Sequence, residues 1–525
     1  MNSPYASMRP DRPAMGTVLV RNVLSNVVGR GSSIVAWIAI TPFVLRTLGP
    51  EKFGYWSLLS TIASTAVLMD LGLGSAVTRF VAGSADASQA AEQRGAFTTG
   101  AALAAGLALV WLVAGLLGRG ALLAFAHVGA GWRAEALAAT GTTVFAAAAG
   151  LLALVPGAAL TGVHRLDLVN RVAIAATVVQ VVASLVLLAR GAGLAGLAFA
   201  MLLANVTTLV SSAWLLRRAA PGLALDRHAA SADRVMEQLR FSAALQVISL
   251  GVLLQFQLPK FVLARGVGLA AAGEFELAYR VAFAAWSLPS LLLPPLLPAL
   301  AEWTAQGRWE AAWALYERSA RYLFAVALPL AALLAVSGLP LFTAWLGGSH
   351  GAAAGSLFVI ATLLGINVLT SAGCVFVRAI GRPWIEARYH LVSFTIQLAV
   401  VLFLVPRRQL EGALAAMFIS GTIGTALFLW LFHRGLGRSL RAFVLRLAAL
   451  PALLSFAGAG VALAVSGLCA TGAWGSERSR ALCGLLLGDT LGAAAIVAGL
   501  IGFGYVSRAE LMDLGRRVPG ALGLR

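Results

Sequence analysis

The stretch Leu48-Gly49-Pro50-Glu51-Lys52-Phe53-Gly54-Tyr55-Trp56 separates two apolar blocks, residues 19–46 and 54–81. Gly49-Pro50 makes a tight turn, because proline fixes its own φ and glycine accepts backbone angles that other residues avoid. Each flanking block exceeds the ~20 apolar residues that cross a bilayer core as a helix. The chain therefore crosses a membrane, turns outside it and crosses back. The same reading extends to the C-terminus.

Composition agrees. The chain has 525 residues, 60% of them hydrophobic and only 11% charged, with a mean hydropathy of +0.87. Soluble domains carry about 25% charged residues. The net charge of +18 is almost all arginine, Lys52 and Lys260 being the only lysines. These arginines sit in short loops between apolar blocks, which suits anionic lipid headgroups and the positive-inside rule and excludes nucleic acid as a partner. A polar tail, Met1 to roughly Met15, precedes a long first span without a signal-peptide pattern. No cofactor or metal is expected, since Cys374, Cys469 and Cys483 lack metal-ligand spacing.

Fourteen spans are expected, at 19–46, 54–81, 95–117, 136–161, 168–190, 193–216, 241–264, 273–300, 322–346, 354–378, 385–405, 411–433, 447–468 and 481–506. The fold class is an all-α polytopic membrane protein, two six-helix lobes related by a pseudo-two-fold repeat plus a C-terminal pair. Its domains are a tail 1–18, an N-lobe 19–216, a linker 217–240, a C-lobe 241–433, spans 13–14 at 434–506 and a tail 507–525. With a cytoplasmic N-terminus, about 26 Lys/Arg fall at cytoplasmic ends against about 10 at outer ends. Both termini and Arg217–Arg240 are then cytoplasmic, in the inner membrane, with loop 118–135 outside.

The repeat rests on Pro42-Phe43-Val44-Leu45 followed by Gly54 and Leu58, and Pro259-Lys260-Phe261-Val262-Leu263 followed by Gly273 and Leu277. Repeated halves are a common plan for secondary transporters. Span 8 carries Pro289, Pro294, Pro295 and Pro298 and must kink or break. Trp309, Trp313 and Tyr316 recur at helical spacing, a pattern suited to an interfacial helix on the cytoplasmic surface. A helical extension of the adjacent span is the alternative. Cys469 and Cys483 flank the outer loop between spans 13 and 14, either as a bridge or as two unrelated small residues. Cys374 should be a free thiol.

No phosphate loop, HExxH or nucleophile elbow is present, and the outward loops are short, so the chain does not read as an enzyme. The segments Leu48 to Trp56 and Leu68-Met69-Asp70-Leu71-Gly72-Leu73-Gly74-Ser75-Ala76 resemble the start of the polysaccharide-biosynthesis flippases, the O-antigen and exopolysaccharide exporters. Their superfamily includes the multidrug (MATE) exporters and lipid II flippases. The likeness is close over spans 1 and 2 and rests elsewhere on span count and repeat. It implies a V-shaped pair of lobes around a central cavity, alternating access and a polyprenyl-diphosphate-linked oligosaccharide as cargo. Membrane lipids and polysaccharide polymerase or assembly proteins are the partners it implies.

Polar residues within spans mark a pathway or an internal pair, because a mid-membrane charge costs at least about 2.5–3.5 kcal/mol. Span 1 carries Asn22, Asn26 and Arg30 on one face, and Asp70 lies at similar depth on span 2. Arg30 is some 16 Å inside the cytoplasmic boundary, too deep to snorkel easily. Span 7 carries Gln246, Ser249, Gln257 and Lys260, span 8 Glu276 and Arg280, and span 10 Asn367. The expectation is that Arg30 and Arg280 grip a diphosphate in one cavity, with Asn26, Gln257 and Asn367 as polar contacts. Asp70 and Glu276 would be their charge partners, and Lys260 would snorkel outward. A MATE-type drug/cation antiporter would favour an anionic cavity instead. A membrane-embedded polysaccharide polymerase or ligase would need an outward loop with carboxylates or histidines.

Overall fold

A membrane offers no water to backbone polar groups, so each crossing must satisfy its own N–H and C=O groups as a helix. The computed structural model describes residues 15–68, 73–82, 87–223, 225, 232–348, 350–472 and 474–507. Within these, the side chains of 15–30, 32–33, 67–68, 87–92 and 232–247 fall outside the described set. Regular structure among the described residues is entirely helical. The helices are α1 (Met15–Leu68), α2 (Leu73–Val81), α3 (Ala87–Phe125), α4 (Arg133–Gly162), α5 (Leu166–Ala189) and α6 (Gly193–Ala219). There follow α7 (Ala232–Gly266), α8 (Leu269–Ser290), α9 (Leu296–Ala305), α10 (Trp309–Val336), α11 (Gly338–Leu346), α12 (Gly351–Ala379) and α13 (Trp384–Gly435). The last are α14 (Leu440–Phe443), α15 (Ala449–Thr471) and α16 (Glu477–Gly502). Ten helical stretches among the described residues are long and apolar enough to cross a membrane.

Two of the ten are double crossings. The 54 residues of α1 would run about 81 Å if straight, far more than a ~30 Å hydrocarbon core. The helix breaks at Gly49, whose φ of 75° and ψ of 168° are open to glycine and followed by Pro50. In α13, of 52 residues, the break is at Gln409, φ 48° and ψ −122°, three residues after Pro406. Tyr389 on one arm meets Phe428 on the other with ring centroids 5.6 Å apart, so the arms lie side by side. The proline-rich region of span 8 also breaks, leaving Leu291–Pro295 between α8 and α9.

Of the two readings of the aromatic stripe, the helical extension holds. Trp309, Trp313 and Tyr316 belong to the first turns of α10, which runs on unbroken to Val336, so there is no separate surface helix. Tyr316 is buried and packs on Phe376, Phe432 and Phe443. Trp313 and Tyr316 face the ends of α12 and α13, which supply an apolar wall that a headgroup layer does not, while Trp309 stays exposed.

In the N-lobe, α4 is the central helix, packed against α3 and α6 through buried alanines. In the C-lobe α12 holds that place, against α8, α10 and α13. The pair α15 and α16 packs on α10 and α11. The lobes join through α1 and α8. An ideal Cβ on Gly54 would lie 1.8 Å from the Leu269 carbonyl oxygen, and one on Gly273 3.3 Å from the Gly54 backbone. The two repeat-related glycines therefore touch each other. Around them Phe53, Leu58, Leu269 and Leu277 form one apolar core shared by both lobes.

Gly54→Ala must push the lobes apart at this contact. Overpacking of this kind costs about 1–3 kcal/mol, read as a lower midpoint of thermal unfolding in detergent. Gly106→Ala, whose added methyl meets nothing within 4 Å, is the control and should not lower it. Equal midpoints for the two variants would contradict the packing account.

Candidate functional site

The polar groups of the seam lie where four helical arms meet, one turn or two below the glycine contact. Helix α8 places Glu276 and Arg280 one turn apart, on the same face. Helix α7 contributes Gln257 and Lys260, the first arm of α1 Trp37, and its second arm Ser60 and Thr61.

Glu276 is the centre. Its side chain is 3% exposed, and one carboxylate oxygen pairs with Lys260 Nζ while the other pairs with Arg280 Nε. Lys260 is wholly buried and also donates to Thr61 Oγ1 across the lobe boundary. Thr61 Oγ1 in turn lies 3.3 Å from Gln257 Oε1. Arg280 donates to Ser60 Oγ at 3.1 Å, and its guanidinium lies 4.4 Å from the centroid of the Trp37 ring. Two cations thus share one anion, and both are bonded to hydroxyls of the opposite lobe. The desolvation cost of such charges is offset only while they stay paired.

The surplus positive charge is on Arg280. Its side chain, 24% exposed, opens on a cavity of about 280 Å³ also lined by Trp37, Thr41, Trp56, Gln180 and Ser184. A guanidinium is always charged and presents several N–H groups in a plane, so one side can hold Glu276 while the other remains open to an anion.

The residues singled out from the sequence are distributed as follows. Arg280 is at the cavity and Glu276 pairs with it. Gln257 is buried in the seam beside Thr61 and does not line that cavity. Asn367 lies elsewhere, in a C-lobe chamber of about 520 Å³ between α7, α8, α12 and α13, where its Oδ1 accepts from Thr425 at 2.8 Å. Asp70 and the side chains of Asn22, Asn26, Arg30 and Gln246 lie outside the described residues.

Lys260 does not snorkel. Glu276 on the neighbouring helix and Thr61 across the seam satisfy it in place. The signal for this was Glu276, a carboxylate of the next span about as far from the intervening turn as Lys260 is. Sequence reasoning also passed over Ser60, Thr61 and Trp37, and a bidentate pair in the second chamber. There Arg378 donates to Glu386 at 2.7 and 2.5 Å, with His390 Nε2 at 4.0 Å from the same carboxylate.

The family model for polysaccharide biosynthesis protein matches residues 19–304. No curated protein sequence matches the chain. Among solved structures, the lipid II flippase MurJ in an inward closed conformation superposes with a TM-score of 0.67 at 9% identity, over 91% of this chain and 98% of that one. An inward-facing multidrug resistance MATE transporter of the MOP superfamily gives 0.60 at 16% identity, over 81% and 98%. A Vibrio cholerae MATE transporter gives 0.60 at 13%, over 81% and 99%. At these identities the likeness establishes a shared fold.

The charge arrangement orders the variants of the seam. Glu276→Gln strands both Lys260 and Arg280, a loss of about 3–5 kcal/mol by analogy with broken buried pairs. Lys260→Met leaves the Glu276–Arg280 pair neutral and should cost much less. Thermal unfolding in lipid nanodiscs reads both, and the reverse order would contradict the shared-carboxylate geometry.

Proposed function

Because the chain belongs to the polysaccharide biosynthesis protein family, we propose that it is a flippase carrying a polyprenyl-diphosphate-linked oligosaccharide across the inner membrane by alternating access. The observation that carries this reading is Arg280: a half-buried guanidinium facing a cavity while tied to the opposite lobe. A diphosphate cannot enter a low-dielectric medium without compensation worth tens of kcal/mol. It needs fixed positive charge, and arginine meets phosphate oxygens with paired, charge-assisted hydrogen bonds.

The mechanism follows from what Arg280 must release. In this structure the guanidinium is shared between Glu276 and Ser60. A phosphate group arriving in the cavity competes for the same N–H groups. Turning toward it, Arg280 gives up Ser60, and one cross-lobe tie beside the glycine contact is lost. Glu276 stays neutralised by Lys260, so no carboxylate is stranded. The lobes, residues 19–216 and 241–433, then rock about the seam, with linker 217–240 and both termini on the cytoplasmic side. Arg30 is assigned as the second cation, countered by Asp70 when the site is empty. Asn26 is assigned to sugar or water along the path, whereas Gln257 serves the seam and Asn367 a separate chamber. Membrane lipids surround the path, and polymerase or assembly proteins receive the product. The fold is shared with MATE transporters, yet the net positive seam opposes a cationic drug as cargo.

Flipping is measured in liposomes with a polyprenyl-diphosphate oligosaccharide. Arg280→Ala should slow it about 10–150-fold, the factor for losing charge-assisted hydrogen bonds of 1.5–3 kcal/mol, at unchanged expression. Arg280→Lys should recover part of the rate. Wild-type flipping by Arg280→Ala would overturn the assignment, and efflux of cationic dyes without flipping would favour the antiporter.

A further inference from the structure

The C-terminal helix pair carries a feature the transport reading does not use. Helices α15 and α16 pack along a seam of small residues, Gly484, Gly488 and Gly492 against Gly458, Ala462 and Ser466. At Gly484 the backbones are so close that an ideal Cβ would lie 3.1 Å from Ser466 Cα and 3.4 Å from Cys469 Cβ. Ser466 Oγ donates to the Gly484 carbonyl at 2.9 Å. At the end of this seam the sulfur atoms of Cys469 and Cys483 are 3.8 Å apart. Both side chains are half-buried, neither sealed from reagents nor free to swing away. A disulfide needs its sulfurs at ~2.05 Å, a change of under 2 Å that rotation about the Cα–Cβ bonds can supply.

The compartment follows from the arginines. Cys469 lies 23 residues beyond Arg446, about 35 Å along a helix, on the far side of the membrane from the basic cluster Arg434, Arg438, Arg441 and Arg446. That places the thiol pair in the outer, oxidising compartment, where disulfides form and persist.

We propose that Cys469 and Cys483 form a disulfide after membrane insertion, and that the bond staples the α15–α16 hairpin beneath the outer seam. One thiolate attacks the disulfide of an external thiol oxidant and forms a mixed disulfide. The second thiolate displaces the oxidant's sulfur. The two cysteines lose two electrons and two protons, and the oxidant leaves as a dithiol.

The staple has a line of contact to the transport seam. The first turn of α16 presents Arg478, which donates to the carbonyls of Ala344 at 2.7 Å and Trp345 at 3.2 Å, at the end of α11. Trp345 Nε1 donates across the lobe boundary to the Ile38 carbonyl at 2.9 Å, and its ring meets that of Trp37 at 6.0 Å. Trp37 is the ring under Arg280. Fixing α16 against α15 therefore fixes Arg478, and with it the α11 end that closes on the N-lobe. The proposal holds whatever the cargo.

The test counts thiols in the full-length protein. Acid-trapped cells are denatured in SDS and treated with a maleimide polyethylene glycol, with and without prior reduction. The chain has three cysteines. The expected result is one adduct without reductant, on Cys374, and three with it. Cys469→Ser should carry two adducts in both lanes, since it frees Cys483. Three adducts on the wild-type chain without reductant would overturn the bridge. Reductant should also lower the unfolding midpoint of the wild-type protein and leave that of the Cys469→Ser, Cys483→Ser double variant unmoved. A wild-type midpoint insensitive to reductant would overturn the stapling role.

Discussion

Two backbones meet without side chains between them where Gly54 of α1 faces Leu269 and Gly273 of α8. This contact sets the distance between the lobes, and much of the seam depends on that distance. With the helices this close, short hydroxyls on α1 reach the long cations of the C-lobe. Ser60 meets Arg280 and Thr61 meets Lys260. A side chain at either glycine would hold the helices apart and leave those buried donors short of acceptors, an expensive state in a medium without water.

The seam is asymmetric although the repeat is not. The N-lobe offers neutral hydroxyls and an indole face, and the C-lobe offers two cations and one carboxylate. An internal charge surplus of one is tolerable because Glu276 serves both cations and Arg280 is partly solvated. It is also what an anionic cargo can exploit. On the reading proposed above, the incoming charge takes up the surplus, and the group that moves to meet it, Arg280, is one that ties the lobes together. On that reading, binding and gating are the same event, and the coupling needs no relay through distant helices.

Much of the fold is legible in the order of residues alone. Length and hydropathy mark the crossings, Gly49-Pro50 marks the turn, and the prolines after Pro289 mark the break between α8 and α9. These are one-dimensional properties, and they survive folding. Azimuth does not. Lys260 has the depth of a snorkelling lysine, and only the packing of α7 against α8 and α1 shows that it points inward at Glu276 and Thr61. Asn367 is as polar as the seam residues but faces a different chamber. Gly54 and Gly273 are legible as markers of a repeat. That the two markers touch is a fact of how α1 packs on α8, which no linear pattern states.

The central claim is that a diphosphate, by drawing Arg280 from Ser60, loosens the seam between the lobes. A pulsed dipolar distance between spin labels at Thr47 and Gly351, exposed positions on opposite lobes, measures that directly in nanodiscs. Adding a polyprenyl-diphosphate oligosaccharide should shift the distribution to longer distances. The same sugar on an uncharged polyprenyl ether should leave it in place. Equal shifts with both lipids, or none with either, would contradict the account.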